Sequence, residues 1–271
     1  MSKEVKDIKE FAKNMRKDIL EMSLAAGANS SHFGGALSIV EIMSVLFKKE
    51  INFSSDPQWE DRDRFILSKG HACLAFYAVL HQIGYLKKED LGSFEKNESD
   101  LMGHPVLNKK IGIDFSTGSL GMGLSIGIGM SVAAKRKNKK YKTFVIIGDG
   151  ECNEGSVWES AMAAPNLNLD NLIVVLDNNG FQQTGQNKEI MNLKNLNQKW
   201  ESFGWDVTTV DGHNVEKLLN VFNKKSSKKP KIIIAETIKG KGFSFSENNN
   251  SWHHSILSKS NYEKALKELE T

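Results

Sequence analysis

A chain of 271 residues, 39% of them hydrophobic and 25% charged, is long enough to bury the core of one large α/β domain. Its net charge of +3 is spread over scattered lysines, and the basic runs at 135–140 and 224–231 contain no interleaved aromatic residues, which argues against a nucleic-acid surface and for solvated helix ends or loops. No apolar run approaches the roughly 20 residues that span a bilayer. The N-terminus MSKEVKDIKEFAKNMRKDI reads as a charged amphipathic helix and not as a signal peptide, and Cys73 and Cys152 lack CxxC spacing. The expectation is a reduced, cytoplasmic protein with no membrane role.

In chain order, an amphipathic helix over 3–26 ends at Gly27, and a polar turn over 29–35 leads into a second helix over 36–48. The segment Asp61-Arg62-Asp63-Arg64 precedes a short strand over 65–67, and Gly70-His71 opens a helix running to about residue 83. A small helix over 87–94 and an irregular stretch over 102–115 follow. Over 120–136 a helical pattern is interrupted by Gly121, Gly123, Gly127 and Gly129. Each glycine costs roughly 1 kcal/mol against alanine, so close helix packing or ligand approach must offset it.

Two apolar runs, TFVII at 143–147 and LIVVL at 172–176, read as strands buried on both faces, with a helix over 154–165 between them. Downstream come a helix over 193–203, a strand over 206–210, a helix over 215–224 and a strand over 231–238. A Gly/Asn/Ser/His-rich tail over 239–258 includes Asn248-Asn249-Asn250 as a loop, and a last helix covers 261–270. This alternation predicts an α/β fold: a doubly wound, mostly parallel sheet flanked by helices, with 1–271 as a single domain.

Gly148-Asp149-Gly150 directly follows the first apolar strand, and Asn178-Asn179 directly follows the second. A right-handed crossover places both at the carboxyl edge of the sheet, where ligands bind. Gly148 and Gly150 let backbone approach a diphosphate closely, while Asp149 and Asn179 supply hard oxygens that suit octahedral Mg²⁺ together with phosphate oxygens and water. Gly-Asp-Gly alone is also a common tight turn, so the placement and spacing carry the argument.

Of seven histidines, His32, His71, His104 and His253 fall in Gly/Ser-rich turns, which favours function over packing. No pair has HxxxH or HxH spacing, so metal binding by imidazole is not expected. A ring that titrates near neutrality suits hydrogen bonding and proton transfer. His81, within a helix, and His213, after a strand, read as structural.

The Gly-Asp-Gly joined by about thirty residues to an Asn pair resembles the thiamine diphosphate motif, and GDGECNEGSVWESAM with LDNLIVVLDNNGFQ resembles transketolase in particular. The likeness runs from about residue 9 to 256 and takes in NSSHFGG at 29–35, LSKGH at 67–71, Gly103-His104-Pro105, TGSLGMG at 117–123 and Ser251-Trp252-His253. It implies that Asp149, Asn179 and the backbone carbonyl of Phe181 bind Mg²⁺, with Ca²⁺ or Mn²⁺ as substitutes. It implies that His71, Gly118, Ser119, Leu120, Gly148, Gly150, Glu151 and Gln183 join Asp149, Asn179 and Phe181 in binding thiamine diphosphate. By the same resemblance His32, His71, His104 and His253 line the funnel above the thiazolium, and Glu154 lies at a dimer contact in a proton network with a partner's glutamate.

Ser119 departs from the family's usual Pro, Gln182-Gln183-Thr184-Gly185 from an apolar residue with Asp-Gly, and His254 from a Gly. Transketolases carry the glutamate that activates the cofactor, and the arginines that bind substrate phosphate, on parts this sequence lacks. The resemblance therefore implies the N-terminal subunit of a split transketolase. Such a subunit pairs with a separately encoded C-terminal subunit, as a heterotetramer, and moves a two-carbon ketol unit from a ketose phosphate to an aldose phosphate in the pentose phosphate pathway. Two other readings are a 2-oxoacid decarboxylating or deoxyxylulose-phosphate-type thiamine enzyme and a non-catalytic assembly subunit. A dinucleotide-binding protein is disfavoured because no GxGxxG follows an early strand.

Overall fold

A computed structural model describes residues 2–224 and 227–270. The strands are β1 (Arg64–Leu67), β2 (Thr143–Gly148), β3 (Leu172–Asn178), β4 (Phe181–Gln182), β5 (Gly185–Gln186), β6 (Asp206–Asp211) and β7 (Lys231–Glu236). Five of them form one sheet in the order β1-β2-β3-β7-β6, with every pairing parallel, while β4 and β5 make a small antiparallel hairpin.

The apolar runs alternate across the sheet, as the pleat requires. Phe144, Ile146, Val175, Ile233 and Ala235 point into one core, and Val145, Ile147, Val174, Leu176, Ile232 and Ile234 into the other. Helices Lys3–Ala26, Cys73–Gln82 and Val215–Phe222 cover the first face; Met122–Arg136, Gly155–Asn166 and Leu196–Ser202 cover the second. The doubly wound α/β fold expected from the sequence is the fold observed.

Two of the four glycines of the 120–136 segment answer the close-packing expectation. A Cβ on Gly127 would lie 2.5 Å from Val145 Cγ2, and one on Gly123 would overlap Ser68 Cβ, so the helix sits directly against β1 and β2. Gly121 precedes the helix in a left-handed conformation, and Gly129 faces open space, so packing does not account for it.

The helix expected over 36–48 is broken into Phe33–Leu37 and Val40–Val45, followed by a π turn at Leu46–Glu50. Ser38 stands at the break, its hydroxyl donating to Gly35 O at 3.0 Å and to Asp177 Oδ2 at 2.7 Å, a side-chain bond that competes with helix continuation. The strand expected over 231–238 ends at Glu236, the helix over 193–203 begins at Leu196, and the last helix begins at Lys259. The basic run at 135–140 is an exposed helix end. Within the run at 224–231, Lys225 and Ser226 lie outside the described residues. No helix among the described residues is long and apolar enough to cross a membrane.

Candidate functional site

Parallel strands deliver their following residues to one edge of the sheet. Lys69 and His71 follow β1, Asp149 and Gly150 follow β2, Asn179 follows β3, and Lys239 follows β7. These groups surround a cavity of about 490 Å³, whose wall also contains His32, His104, His253, Gly118, Leu120, Gly148, Glu151, Glu154, Phe181 and Gln183. Ser119 is the one sequence-predicted site residue outside that wall. A neighbouring open cavity of about 730 Å³, lined by Asn187 and residues of 192–197, shares Asp149 and Phe181 with the first.

Asp149 is buried, with Oδ1 accepting from Gly150 N at 2.8 Å and Oδ2 from Gly180 N at 2.6 Å. Burial, reinforced by the charge of Asp177, pushes its carboxyl up to about 7. Asn179 donates from Nδ2 to Asp177 Oδ2 at 2.8 Å, and its Oδ1 accepts from Phe181 N at 3.0 Å. A buried carboxylate with no ion-pair partner among the described residues, flanked by an amide oxygen and open to a cavity, fits a divalent cation. Among the described residues no group of three or more His, Cys, Asp or Glu side chains is placed to hold a metal. Asn179 and Phe181 line the same cavity as Asp149.

Glu151 has both oxygens engaged. Oε1 accepts from Ser68 Oγ and from Gly121 N at 2.8 Å, and Oε2 accepts from Gly148 N at 3.0 Å. It clamps together the segments after β1, before Met122–Arg136 and at the end of β2. Burial raises its carboxyl, and those donors oppose the rise. Glu154 sits exposed at the rim, at the start of Gly155–Asn166.

His32 is the hub of the imidazoles. Its ring centroid lies 5.4 Å from that of His71, 5.5 Å from His104, 5.4 Å from His253 and 4.3 Å from His254. Burial, with the neighbouring imidazoles and Lys239, holds His32 down at about 3; burial and Lys239 hold His253 at about 4. Burial also lowers His71 and His104. At neutral pH His32, His71, His104 and His253 are uncharged rings that both donate and accept.

His81 and His213 lie away from the cavity and make structural contacts. His81 Nδ1 is 2.8 Å from Asp18 Oδ2. His213 Nδ1 is 2.9 Å from Glu41 Oε2, while its Nε2 accepts from Ile238 N at 2.8 Å. Burial alone would raise Glu41, but Arg16 and His213 bring it to about 2.

Sequence reasoning passed over two lysines. Lys69 is buried and pairs with Asp177. Lys239 is buried with Nζ 2.7 Å from Asn250 Oδ1, 3.2 Å from Gln182 O and 3.0 Å from His253 Nδ1; burial and the charge of Lys69 lower it to about 8. A polar residue just after an apolar strand was the signal that found Asp149, and Lys239 follows the expected strand over 231–238 in the same way.

A family model described as transketolase, thiamine diphosphate binding domain, matches residues 9–270. The chain is 37% identical over 257 residues to a subunit of the apulose-4-phosphate transketolase of Phocaeicola vulgatus, covering 94% of this chain and 90% of that protein. It is 38% identical over 273 residues to the 6-deoxy-6-sulfo-D-fructose transketolase subunit SqwG of a Clostridium species, covering 100% and 98%. The transketolase structure from Campylobacter jejuni superposes with a TM-score of 0.91 at 29% identity, over all of this chain but only 43% of that one. The chain therefore belongs to the transketolase family and carries that family's thiamine diphosphate-binding domain.

Proposed function

We propose that this chain is the N-terminal subunit of a two-component transketolase, transferring a two-carbon ketol unit from a ketose phosphate to an aldose phosphate with a separately encoded C-terminal subunit. The observation that carries the reading is the convergence of three neutral imidazoles, His32, His71 and His253, on the same cavity as Asp149 and Asn179. Near full-length correspondence to two proteins named as transketolase subunits supports the two-component form. Those relatives are named for sugars bearing a phosphate or a sulfo group, which supports a sugar with an anionic substituent as substrate. A heterotetramer, a cytoplasmic setting and a place in pentose phosphate metabolism belong to the same proposal.

Asp149, Asn179 and the Phe181 carbonyl would hold Mg²⁺ against the diphosphate of the cofactor, with Gly148 and Gly150 giving the backbone close approach. Thiamine diphosphate, when bound, supplies a nucleophilic carbon and an electron sink for breaking and making the carbon–carbon bond. Gly118, Leu120 and Gln183 would flank its rings, and Ser119 would act from outside the cavity wall. With Lys239 Nζ donating to His253 Nδ1, the ring proton of His253 sits on Nε2, free to be donated to a substrate oxygen. His32, His71 and His104 would bind substrate oxygens and hold protons there. Glu154 would contribute at the contact with a partner.

The test is to co-purify the chain with its candidate C-terminal partner and assay ketose–aldose pairs with Mg²⁺ and thiamine diphosphate. Ketol transfer by the pair, and little by either component in isolation, is expected. Full activity of this chain alone would overturn the two-component reading, and consumption of pyruvate without ketol transfer would overturn the reaction.

A further inference from the structure

His254 is the fifth member of the imidazole cluster, and the transketolase reading gives it no task. Unlike His32, His71, His104 and His253 it is not part of the cavity wall, yet its ring is the closest of the four neighbours of His32. Its position is fixed by the backbone. Ser31 N donates to Ser255 O and Ser255 N to Ser31 O, both at 3.0 Å, pinning the chain on either side of the ring. Ser30 Oγ lies 3.2 Å from Nδ1 and 3.1 Å from Nε2 of His254. Ser31 is itself buried, with its hydroxyl donating to Ser23 Oγ at 3.1 Å.

Burial orders the polar groups along the cavity. Lys69 and Lys239 are fully buried at its floor, His32, His71 and His253 are half-buried, and His104 and His254 are exposed. On the transketolase reading, a sugar whose carbonyl reached the floor would extend outward past His32, and its far carbons would then lie near His254, whose ring is 4.3 Å from that of His32. An imidazole next to a hydroxyl suits a hydroxyl or phosphate oxygen there.

We propose that His254, assisted by Ser30, is a specificity-determining contact for the outer end of the sugar substrate, recognising a hydrogen-bonding group several carbons from the reacting carbonyl. The proposal rests on the transketolase reading and extends it. Its action is on substrate choice, separate from cofactor binding at Asp149.

The experiment uses the reconstituted two-subunit enzyme with wild-type chain, His254→Ala and His254→Gln. Acceptors are glycolaldehyde, a five-carbon aldose and the 5-phosphate of that aldose, and thiamine diphosphate affinity is measured by calorimetry on the same preparations. His254→Ala should lower kcat/KM for the five-carbon acceptors roughly tenfold relative to glycolaldehyde, chiefly through KM, with His254→Gln recovering most of the loss. A greater loss for the phosphorylated aldose assigns the contact to phosphate, and equal losses assign it to a hydroxyl. An unchanged ratio of long to short acceptors, or a loss that follows weakened cofactor affinity, overturns the proposal alone. Absence of ketol transfer by the wild-type pair overturns the parent reading and this proposal with it.

Discussion

Lys69 Nζ lies 2.5 Å from Asp177 Oδ2, and both side chains are almost wholly withdrawn from water. Asp177 also accepts from Ser38 Oγ and Asn179 Nδ2 at 2.7 and 2.8 Å and from Thr237 Oγ1, so one carboxylate joins the ends of β1, β3 and β7 to the helix break at Ser38. Burial alone would raise Asp177, but Lys69 and these donors hold it lowered. Lys69→Met would leave that charge buried without its counter-ion. The expected loss of stability is about 3–5 kcal/mol, read by urea denaturation, with part of it restored when Asp177→Leu is added. Equal stability of Lys69→Met and wild type would show that the pair contributes nothing net.

That pair also marks the limit of what the sequence displayed. Asp149 and Asn179 were legible because each follows a long apolar strand at the start of a recognisable turn. Lys69 and Asp177 are 108 residues apart, and only the adjacency of β1, β2 and β3 brings them together. A lysine in a Ser-Lys-Gly turn reads as solvated until the fold buries it. Strands β4 and β5 have two residues each, too few for any periodicity to register, although they carry Phe181 and Gln182. The break at Ser38 was hidden because its cause is a hydrogen bond to a distant strand.

Asp149→Asn separates binding from folding. The asparagine keeps the shape of the side chain and an acceptor for Gly150 N or Gly180 N but removes a buried charge that has no ion-pair partner among the described residues. Affinity for thiamine diphosphate with Mg²⁺ should fall roughly 100-fold or more, since losing a ligand costs at least as much as the 10–100-fold typical of its supporting contacts. The melting temperature without cofactor should stay level or rise. Calorimetric titration and melts with and without Mg²⁺ and thiamine diphosphate read both, and undiminished affinity would remove Asp149 from the cation site.

The imidazole cluster predicts a pH window. His32 and His253 sit at about 3 and about 4 in the folded chain, below the ordinary imidazole value near 6.5. Between these limits the unfolded chain takes up protons that the two folded imidazoles refuse, so their contribution to stability is full above about 6.5 and falls as the pH drops towards 4. Glu41, held at about 2, adds its own loss only below about 4.5. Asp149, raised to about 7, binds its proton more tightly in the folded chain and opposes this loss over the same range, so the imidazole contribution is read as a difference: the melting temperature of wild type relative to that of His32→Asn should fall between pH 6.5 and 5. Parallel curves for the two proteins would show that His32 titrates alike in the folded and unfolded states.

Gly123 and Gly129 lie in the same helix and predict opposite outcomes. A Cβ on Gly123 would overlap Ser68 Cβ and Oγ and come within 2.7 Å of Ser68 Cα, a clash with backbone at the end of β1. Ser68 cannot retreat without cost, because its hydroxyl accepts from Gly123 N at 3.1 Å and donates to Glu151. Gly123→Ala should lose about 1–3 kcal/mol and weaken cofactor binding, since Lys69 and His71 follow Ser68 directly. No atom lies within 4 Å of a Cβ on Gly129, so Gly129→Ala relieves only the conformational freedom of glycine and should gain up to about 1 kcal/mol. Urea denaturation of both variants decides the matter: changes of the same sign would mean that helix propensity, and not the contact with Ser68, governs this face.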